Sequence, residues 1–293
     1  MKKYFITADV HGFYSILKHK LKSLGFNEKN KNHILIICGD AFDRGGEEFK
    51  LLNFLNNLRK NNQLIYIKGN HDTLLWELLT EQRDLKYVDF HNGTAKTVYT
   101  MAGIKPDTFE DVEYCLRTNL PLSWAGDKYA DFPEFEDVRK KSKKKFSPLF
   151  NSMVDYFETD KYIFVHGWIP CIFTESLNKA KYLVGWRDYG ELSWDRARWV
   201  NGIQCSIDGC LEPGKTIVCG HWHASYGNVR KFHPEIAKSH KVSLKEKQRL
   251  YKDLEFSNGD YFKPYVSKGI IALDACTAYS KTINVLVLNE DEI

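Results

Sequence analysis

The sequence has few features of a membrane-embedded or disulfide-bonded protein. No stretch approaches the roughly 20 consecutive apolar residues that a membrane-spanning helix needs. The seven cysteines are odd in number and contain no Cys-x-x-Cys pair, so neither a disulfide framework nor a structural zinc site is expected. Cys38 and Cys219 each end an apolar run, which predicts buried thiols that pack as small hydrophobic groups.

The sequence also lacks a strong charge of either sign, since its formal net charge is +4. The run 140–145 holds five lysines and is typical of a solvated helix face, with a polyanion site as the alternative. Because no stripe of basic and aromatic residues accompanies it, nucleic-acid binding is not expected. Asp9 follows the basic start too early for a signal peptide. With 43% apolar and 27% charged residues, the chain 1–293 is predicted to be a cytoplasmic protein of one domain.

The first part of the chain repeats one pattern three times: an apolar strand, a short polar loop and an amphipathic helix. Strands are predicted at 3–8, 33–38 and 63–67, and helices at 14–24, 47–60 and 73–81. Such repetition is typical of βαβ units and predicts an α/β fold with a parallel sheet.

The remaining chain is less regular. Residues 84–160 are helical in character and are expected to form a helical cap or insertion, with helices predicted at 94–102, 108–118 and 134–157. Strand patterns return at 162–165, 216–219, 269–273 and 282–288. The last of these alternates as expected for a strand of a mixed or antiparallel sheet.

Five of the predicted strands end in residues that can bind metal ions. These are Asp9 and His11, Asp40, Asn70, His166, and His221 with His223. Because strand ends in one sheet converge at a common edge, we expect these side chains to meet. Carboxylate, imidazole and amide ligands together suit manganese, iron or zinc better than calcium. So many ligands fit two ions, about 4 Å apart, that share a carboxylate.

The same motifs resemble, in order, those of calcineurin-like metallophosphoesterases. The matching stretches are Asp9-Val10-His11-Gly12, Gly39-Asp40-Ala41-Phe42-Asp43-Arg44-Gly45, Gly69-Asn70-His71-Asp72, His166-Gly167 and Gly220-His221. The Asp-Arg-Gly extension resembles the phosphoprotein phosphatase branch, which includes bacterial serine/threonine phosphatases and symmetrical diadenosine tetraphosphatases. Also similar to this branch are His91-Asn92-Gly93-Thr94, Gly185-Trp186-Arg187 and residues 269–275. The resemblance implies an α/β/β/α sandwich of two mixed sheets flanked by helices.

The resemblance also implies a role for each matching residue. One ion would be held by Asp9, His11 and Asp40, and the other by Asp40, Asn70, His166 and His221. Manganese is the expected metal, with iron or zinc as alternatives. A water between the ions would attack phosphorus in line.

The remaining matches imply the groups that act on the substrate. Arg44 and Arg187 would clamp the phosphoryl oxygens. His71, oriented by Asp72, would protonate the leaving oxygen. Asp43 is expected to pair with a neighbouring basic group.

Several of these positions leave alternatives open. The phosphoprotein phosphatase branch usually lacks a second histidine at the position of His223, which could be a metal ligand or a substrate contact. Arg187 could instead form a surface salt bridge. Trp222 and His91 could stack on an adenine base or serve only in packing.

These residues predict hydrolysis of phosphate monoesters at a dinuclear metal centre, with a bacterial-type serine/threonine protein phosphatase as the first prediction. The alternative is a diadenosine tetraphosphatase-like nucleotide hydrolase, which would use the same ligands. A non-catalytic scaffold is a remote alternative, because the metal ligands and the general acid are all present.

Overall fold

Two β-sheets lie at the centre of the fold in the computed structural model, which describes residues 1–104, 109–118, 120–125, 133–174, 179–239 and 242–293. The strands are β1 (Lys3–Thr7), β2 (His33–Cys38), β3 (Leu64–Ile67), β4 (Phe157–Glu158), β5 (Tyr162–Phe164), β6 (Cys171–Phe173), β7 (Ala180–Tyr182), β8 (Thr216–Cys219), β9 (Tyr265–Ser267), β10 (Ile270–Ala272) and β11 (Leu286–Asn289). The helices are α1 (Tyr14–Ser23), α2 (Glu48–Lys60), α3 (Asn70–Leu79), α4 (Tyr87–Asn92), α5 (Thr94–Met101), α6 (Phe109–Thr118), α7 (Phe135–Phe150), α8 (Glu191–Arg198), α9 (Gly202–Ile207), α10 (Ala224–Phe232), α11 (Pro234–Lys238), α12 (Leu244–Glu255) and α13 (Thr277–Ser280).

Both sheets are mixed. The first has the strand order β11-β1-β2-β3, in which β1, β2 and β3 are parallel and β11 is antiparallel to β1. The second has the order β4-β5-β8-β10-β9, with β5, β8 and β10 parallel and the two edge strands antiparallel. The predicted architecture of two mixed sheets is thereby confirmed, and the last strand lies in a mixed sheet as expected.

The alternation of side chains along the strands builds three layers of core. In β1, Ile6 packs in the cluster that joins the two sheets, whereas its neighbour Phe5 packs beneath the helices of the first sheet. In β8, Val218 faces the same inter-sheet cluster, and Ile217 packs against the helices of the second sheet. Because successive side chains point to opposite faces of a strand, each apolar strand is buried on both sides.

The region 84–160 adds to the helical layer on the first sheet. Val98 of α5, Val112 of α6 and Phe146 of α7 pack in one cluster with Leu55 of α2 and Leu75 of α3. Residues 105–108, 119 and 126–132 of this region lie outside the described residues. Whether the region acts as a cap over substrate stays a prediction.

Two helix boundaries differ by three residues or more from those predicted, each for a backbone reason. α3 begins at Asn70 rather than Thr73, because the Asp72 carboxylate accepts the Gly69 N–H at 2.9 Å and caps the first turn. α7 ends at Phe150 rather than near residue 157. The backbone of Val154 instead exchanges hydrogen bonds with Tyr66 and Lys68 beside β3, which a helix could not do.

The carboxyl ends of the parallel strands open at one edge of the sandwich. The loops that follow β1, β2, β3, β5, β8 and β10 all lie here, and they carry the predicted metal-binding residues. None of the helices in the described part of the chain combines the length and apolar character that a membrane span requires. All seven cysteines are free, and Cys38 and Cys219 are buried as predicted.

Candidate metal centre and active site

The loops at this edge hold their functional residues in an unusual backbone conformation. Among the described residues, ten that are not glycine have positive φ, and seven of them lie at this edge: Asp9, His11, Asp40, Asp43, Arg44, His221 and Cys276. Aspartate and histidine tolerate this conformation better than most residues, but each instance still costs about 1–3 kcal/mol. Such strain persists only where surrounding contacts enforce it, and it concentrates at functional sites.

The candidate ligands meet around Asp40. Ligand atoms of Asp40, His166 and His221 lie within 4.8 Å of one another, and so do those of Asp40, His11 and His71. The Oδ2 atom of Asp40 lies 3.3 Å from His166 Nε2, which in turn lies 2.8 Å from Asn70 Oδ1. A carboxylate that belongs to both groups is the bridging ligand expected between two ions.

The neighbouring pair Asp9 and His11 completes the arrangement. His11 Nε2 lies 3.9 Å from Asp9 Oδ1. The second oxygen of Asp9 accepts the backbone N–H of His221 at 2.9 Å, which ties the loop after β1 to the loop after β8. Two segments that are more than two hundred residues apart in the chain therefore share one site.

Backbone carbonyls orient two of the imidazoles. The Nδ1 atom of His166 donates to the Cys38 carbonyl at 2.8 Å, and that of His11 donates to the Phe42 carbonyl at 2.9 Å. Each contact leaves Nε2 facing the cluster. A metal-binding histidine usually donates such a hydrogen bond from its other ring nitrogen, which fixes the orientation of the ring.

Electrostatics at the cluster favour a bound cation. Burial raises the pKa of Asp9 well above its ordinary value, and the nearby Asp274 and Asp40 carboxylates raise it further. Burial also lowers the pKa of His11 well below its ordinary value and lowers that of His221 to about 3, so both imidazoles are neutral. Neutral imidazoles and crowded carboxylates present lone pairs to one another, an arrangement that divalent ions stabilise.

The donor set therefore fits two divalent ions. Because Nδ1 of His166 donates its proton to the Cys38 carbonyl, Nε2 of the neutral imidazole presents a lone pair to the oxygen atoms of Asn70 and Asp40. These three acceptor atoms then face one another with no hydrogen between them, as the ligands of a cation do. Oxygen and imidazole ligands without a thiolate suit manganese, iron or zinc.

His71 is held by Asp43, not by Asp72 as predicted. The Nδ1 atom of His71 lies 2.7 Å from Asp43 Oδ2, and Asp43 is fully buried. Burial alone would lower the pKa of His71, but the Asp40 and Asp43 carboxylates raise it above its ordinary value. The prediction that Asp43 pairs with a basic group is consistent with this geometry.

Asp72 instead accepts hydrogen bonds from a tyrosine and from two loops. Its carboxylate accepts the phenol of Tyr66 at 2.8 Å and the backbone N–H groups of Gly69 and Asp40 at 2.9 and 3.0 Å. Burial and the nearby Asp40 carboxylate raise the pKa of Asp72 to about 6. With these donors around it, Asp72 holds the loops after β2 and β3 together rather than orienting His71.

Two threonines that the sequence analysis did not single out complete the environment of Asp43. Thr94 and Thr97 donate their hydroxyls to its carboxylate at 2.8 and 2.7 Å. Gly93 lies against the backbone of Arg44, since a Cβ there would stand 2.9 Å from the Arg44 nitrogen. The similarity of residues 91–94 to the phosphoprotein phosphatase branch was the available signal for this support.

Arg44 lies at the mouth of the cluster. Its Nη2 atom is 3.4 Å from His71 Nε2, and the side chain is exposed. A guanidinium in this position can reach a phosphoryl oxygen that His71 also approaches.

Arg187 does not reach this edge. Its guanidinium pairs with Glu158 at 2.5 and 2.8 Å and with Glu212 at 2.8 Å. Lys215, which also pairs with Glu158 at 2.7 Å, directly precedes β8, and Thr159 lies just before β5, so this network occupies the amino ends of the strands. The salt bridge left open as an alternative is what the structure contains, and the clamp role predicted for Arg187 is corrected.

His223 lies outside both groups of candidate ligands found among the described residues. Its Nε2 atom is 3.9 Å from Asp274 Oδ2, and the His223 side chain is 32% exposed. Asp274, buried after β10 and close enough to raise the pKa of Asp9, is a residue that the site predictions missed, although it lies in the stretch 269–275.

The two predicted aromatic contacts differ in their surroundings. Trp222 is 40% exposed and packs edge-on against Tyr226 with ring centroids 5.3 Å apart. It lines a recess of about 710 Å³ that begins at His221. His91 is exposed in the last turn of α4, and a substrate contact there stays a prediction.

Comparisons with known proteins show what the chain is similar to. A family model described as calcineurin-like phosphoesterase matches residues 2–257. A symmetrical bis(5'-nucleosyl)-tetraphosphatase of Wigglesworthia glossinidia brevipalpis is 33% identical over 86 residues, which are 29% of this chain and 30% of that protein. The alignment therefore spans less than a third of that relative.

Two further similarities extend over more of the chain. Serine/threonine-protein phosphatase 2 of Salmonella typhimurium (strain LT2) is 23% identical over 222 residues, covering 76% of this chain and 80% of that protein. The crystal structure of a cold-active protein-tyrosine phosphatase of a psychrophilic Shewanella species aligns with a TM-score of 0.43 at 13% identity, covering 99% of this chain and 76% of that chain.

Proposed function

Because the chain belongs to the calcineurin-like phosphoesterase family, we propose that it hydrolyses phosphoric esters at the strand-end edge of the sandwich. The family match confirms the resemblance seen in the sequence. The proposal rests on one observation above all: Asp40 belongs to both groups of candidate ligands, and His71, a member of one group, is held by Asp43.

We propose that Asp9, His11, Asp40, Asn70, His166 and His221 hold two divalent ions. When bound, such ions supply an acidic water and polarise a phosphoryl oxygen. Manganese is the metal that we propose, on the basis of the oxygen and imidazole ligands.

The remaining groups act on the substrate directly. Arg44 binds a non-bridging phosphoryl oxygen through its exposed guanidinium. His71 gives its Nε2 proton to the leaving oxygen, and the buried Asp43 stabilises the charged imidazole by accepting from Nδ1. Arg44 is the only one of the two predicted clamp arginines that remains in this proposal, and His223 contributes to the walls of the neighbouring recess.

A phosphoserine- or phosphothreonine-containing protein is the first candidate substrate, as the sequence predicts. It is supported by the similarity to a serine/threonine-protein phosphatase, which extends over most of both chains. A dinucleoside polyphosphate is the second candidate. It is supported by the tetraphosphatase relative and by a specific structural feature, the recess beside His221. A cytoplasmic location remains a prediction.

The proposal is tested by metal-dependent turnover of three substrates by the purified chain. The panel contains a phosphothreonine peptide, diadenosine tetraphosphate and p-nitrophenyl phosphate, each assayed with manganese and after chelation. His71→Asn is the matched variant, because asparagine keeps a polar side chain but cannot act as the acid. Turnover that requires metal and falls in this variant is the expected result. Absence of metal-dependent turnover on all three substrates would refute the proposal.

A further inference from the structure

A recess opens beside the candidate metal centre, between helices α10 and α12. It has a volume of about 710 Å³ and is continuous with the site, because His221 lines both. This volume lies in the range of about 300–1,000 Å³ that is usual for small-molecule sites.

Two aromatic side chains in the recess are incompletely covered. Trp222 is 40% exposed and Phe256 is 38% exposed. Trp222 meets Tyr226, and Phe256 meets Tyr279, through edge-to-face contacts at centroid distances of 5.3 and 4.8 Å. Exposed aromatic side chains next to a phosphate-binding site are suited to stacking on a planar ring.

The two cationic side chains that line the recess, Arg230 and Lys252, differ in how accessible they are to a ligand. Arg230 is held beneath it: its guanidinium carbon lies 3.3 Å from the Tyr226 ring centroid and 4.5 Å from that of Tyr251. The same guanidinium donates to the Tyr226 carbonyl at 2.8 Å and pairs with Glu255 at 3.3 Å. Lys252, by contrast, is exposed, so its ammonium group can attract an anionic ligand.

The walls of the recess disfavour an extended peptide. Most of the lining residues belong to α10 and α12, so no strand edge is offered to a peptide backbone. A nucleobase requires no such edge, and its edge atoms can bond to polar side chains such as Gln248 and Glu255, which also line the recess. Its 5'-phosphate chain is an anion that the metal centre and Arg44 would attract.

We propose that this recess is a nucleobase subsite and that the substrate class is a nucleoside polyphosphate. The inference rests on the proposed hydrolysis for the position of the phosphates. The base stacks on Trp222 and Phe256, while the phosphate chain extends from the recess to the edge that carries Asp40. The phosphoprotein candidate is then the weaker of the two.

Calorimetric binding separates this inference from turnover. AMP and ribose 5-phosphate are titrated into the manganese-loaded chain, since the two ligands share a ribose phosphate and differ in the base. Stacking of one base is worth about 1–3 kcal/mol, which is roughly 5- to 150-fold in affinity, so AMP is expected to bind at least fivefold more tightly. The ratio of the AMP affinity to the ribose 5-phosphate affinity should approach one in Trp222→Ala and in Phe256→Ala. Trp222→Phe should restore part of the preference for AMP.

Phe232→Ala is the matched control, because Phe232 is an exposed phenylalanine of α10 outside the recess, and it should keep the wild-type ratio. Equal affinities of AMP and ribose 5-phosphate for the wild-type chain would overturn the inference. So would a preference for AMP that survives both alanine variants, or a dependence on Trp222 and Phe256 that appears with a phosphopeptide alone. Turnover of p-nitrophenyl phosphate is measured separately, and its absence would instead refute the proposed hydrolysis.

Discussion

Replacement of Asp43 by asparagine tests the part of the site on which sequence and structure disagree. The buried Asp43 carboxylate accepts hydrogen bonds from His71, Thr94 and Thr97 at 2.7, 2.8 and 2.7 Å. Asparagine keeps one of the two oxygens and points an NH2 group toward groups that are themselves donors. His71 then loses the negative charge that stabilises its protonated form.

The expected loss follows from the role of the general acid. Such catalysis contributes about 10²- to 10⁴-fold, so Asp43→Asn should lower kcat by about 100-fold or more when the leaving group is an alkoxide. The loss should be much smaller with p-nitrophenyl phosphate, because p-nitrophenolate leaves without a proton. Hydrogen bonds to a charged group contribute about 1.5–3 kcal/mol each, and the free energy of unfolding should fall by a comparable amount.

The assay compares kcat for a phosphothreonine peptide, whose leaving group is an alkoxide, with kcat for p-nitrophenyl phosphate. Thr97→Val serves as one control: it removes a donor to Asp43 and lowers stability but keeps the carboxylate beside His71. Asp72→Asn serves as the other, because Asp72 accepts from Tyr66 and from backbone N–H groups. If the leaving-group-dependent loss appeared in Asp72→Asn and not in Asp43→Asn, the reasoning would be refuted.

Two further predictions concern backbone packing and a salt bridge. In Gly220→Ala, the new Cβ would lie 2.1 Å from Asp9 Oδ2, so manganese affinity measured by calorimetry should fall about tenfold or more, whereas Gly259→Ala, with nothing within 4 Å, should bind normally. The Arg187 guanidinium lowers the pKa of Glu158 from 4.5 to about 2, so the stabilisation is present above about pH 4.5 and is lost as pH falls toward 2. Thermal melts of Glu158→Gln should therefore show lower stability at pH 7 and a smaller decline on acidification, with kcat unchanged; an unaltered acid decline would contradict this assignment.

Local sequence determined which residues occupy the strand ends. Each of the loops after β1, β2, β3, β5 and β8 follows an apolar strand directly, so its polar residues must emerge at the same edge of a parallel sheet. The positions of Asp40 and His166 could therefore be predicted without a structure. The short range of these motifs is the physical reason, because a strand and its following loop are covalently joined.

Tertiary structure decided which polar groups pair with one another. The strand-end motifs place two carboxylates, Asp43 and Asp72, near His71. The packing of α5 against the loop after β2 brings two threonine hydroxyls to Asp43, whereas Asp72 caps α3. A short motif predicted Arg187 in the site, yet its guanidinium forms salt bridges with Glu158 and Glu212 at the amino ends of the strands. Pairing of charged side chains depends on distances between segments far apart in the chain, and those distances are set only when the layers pack.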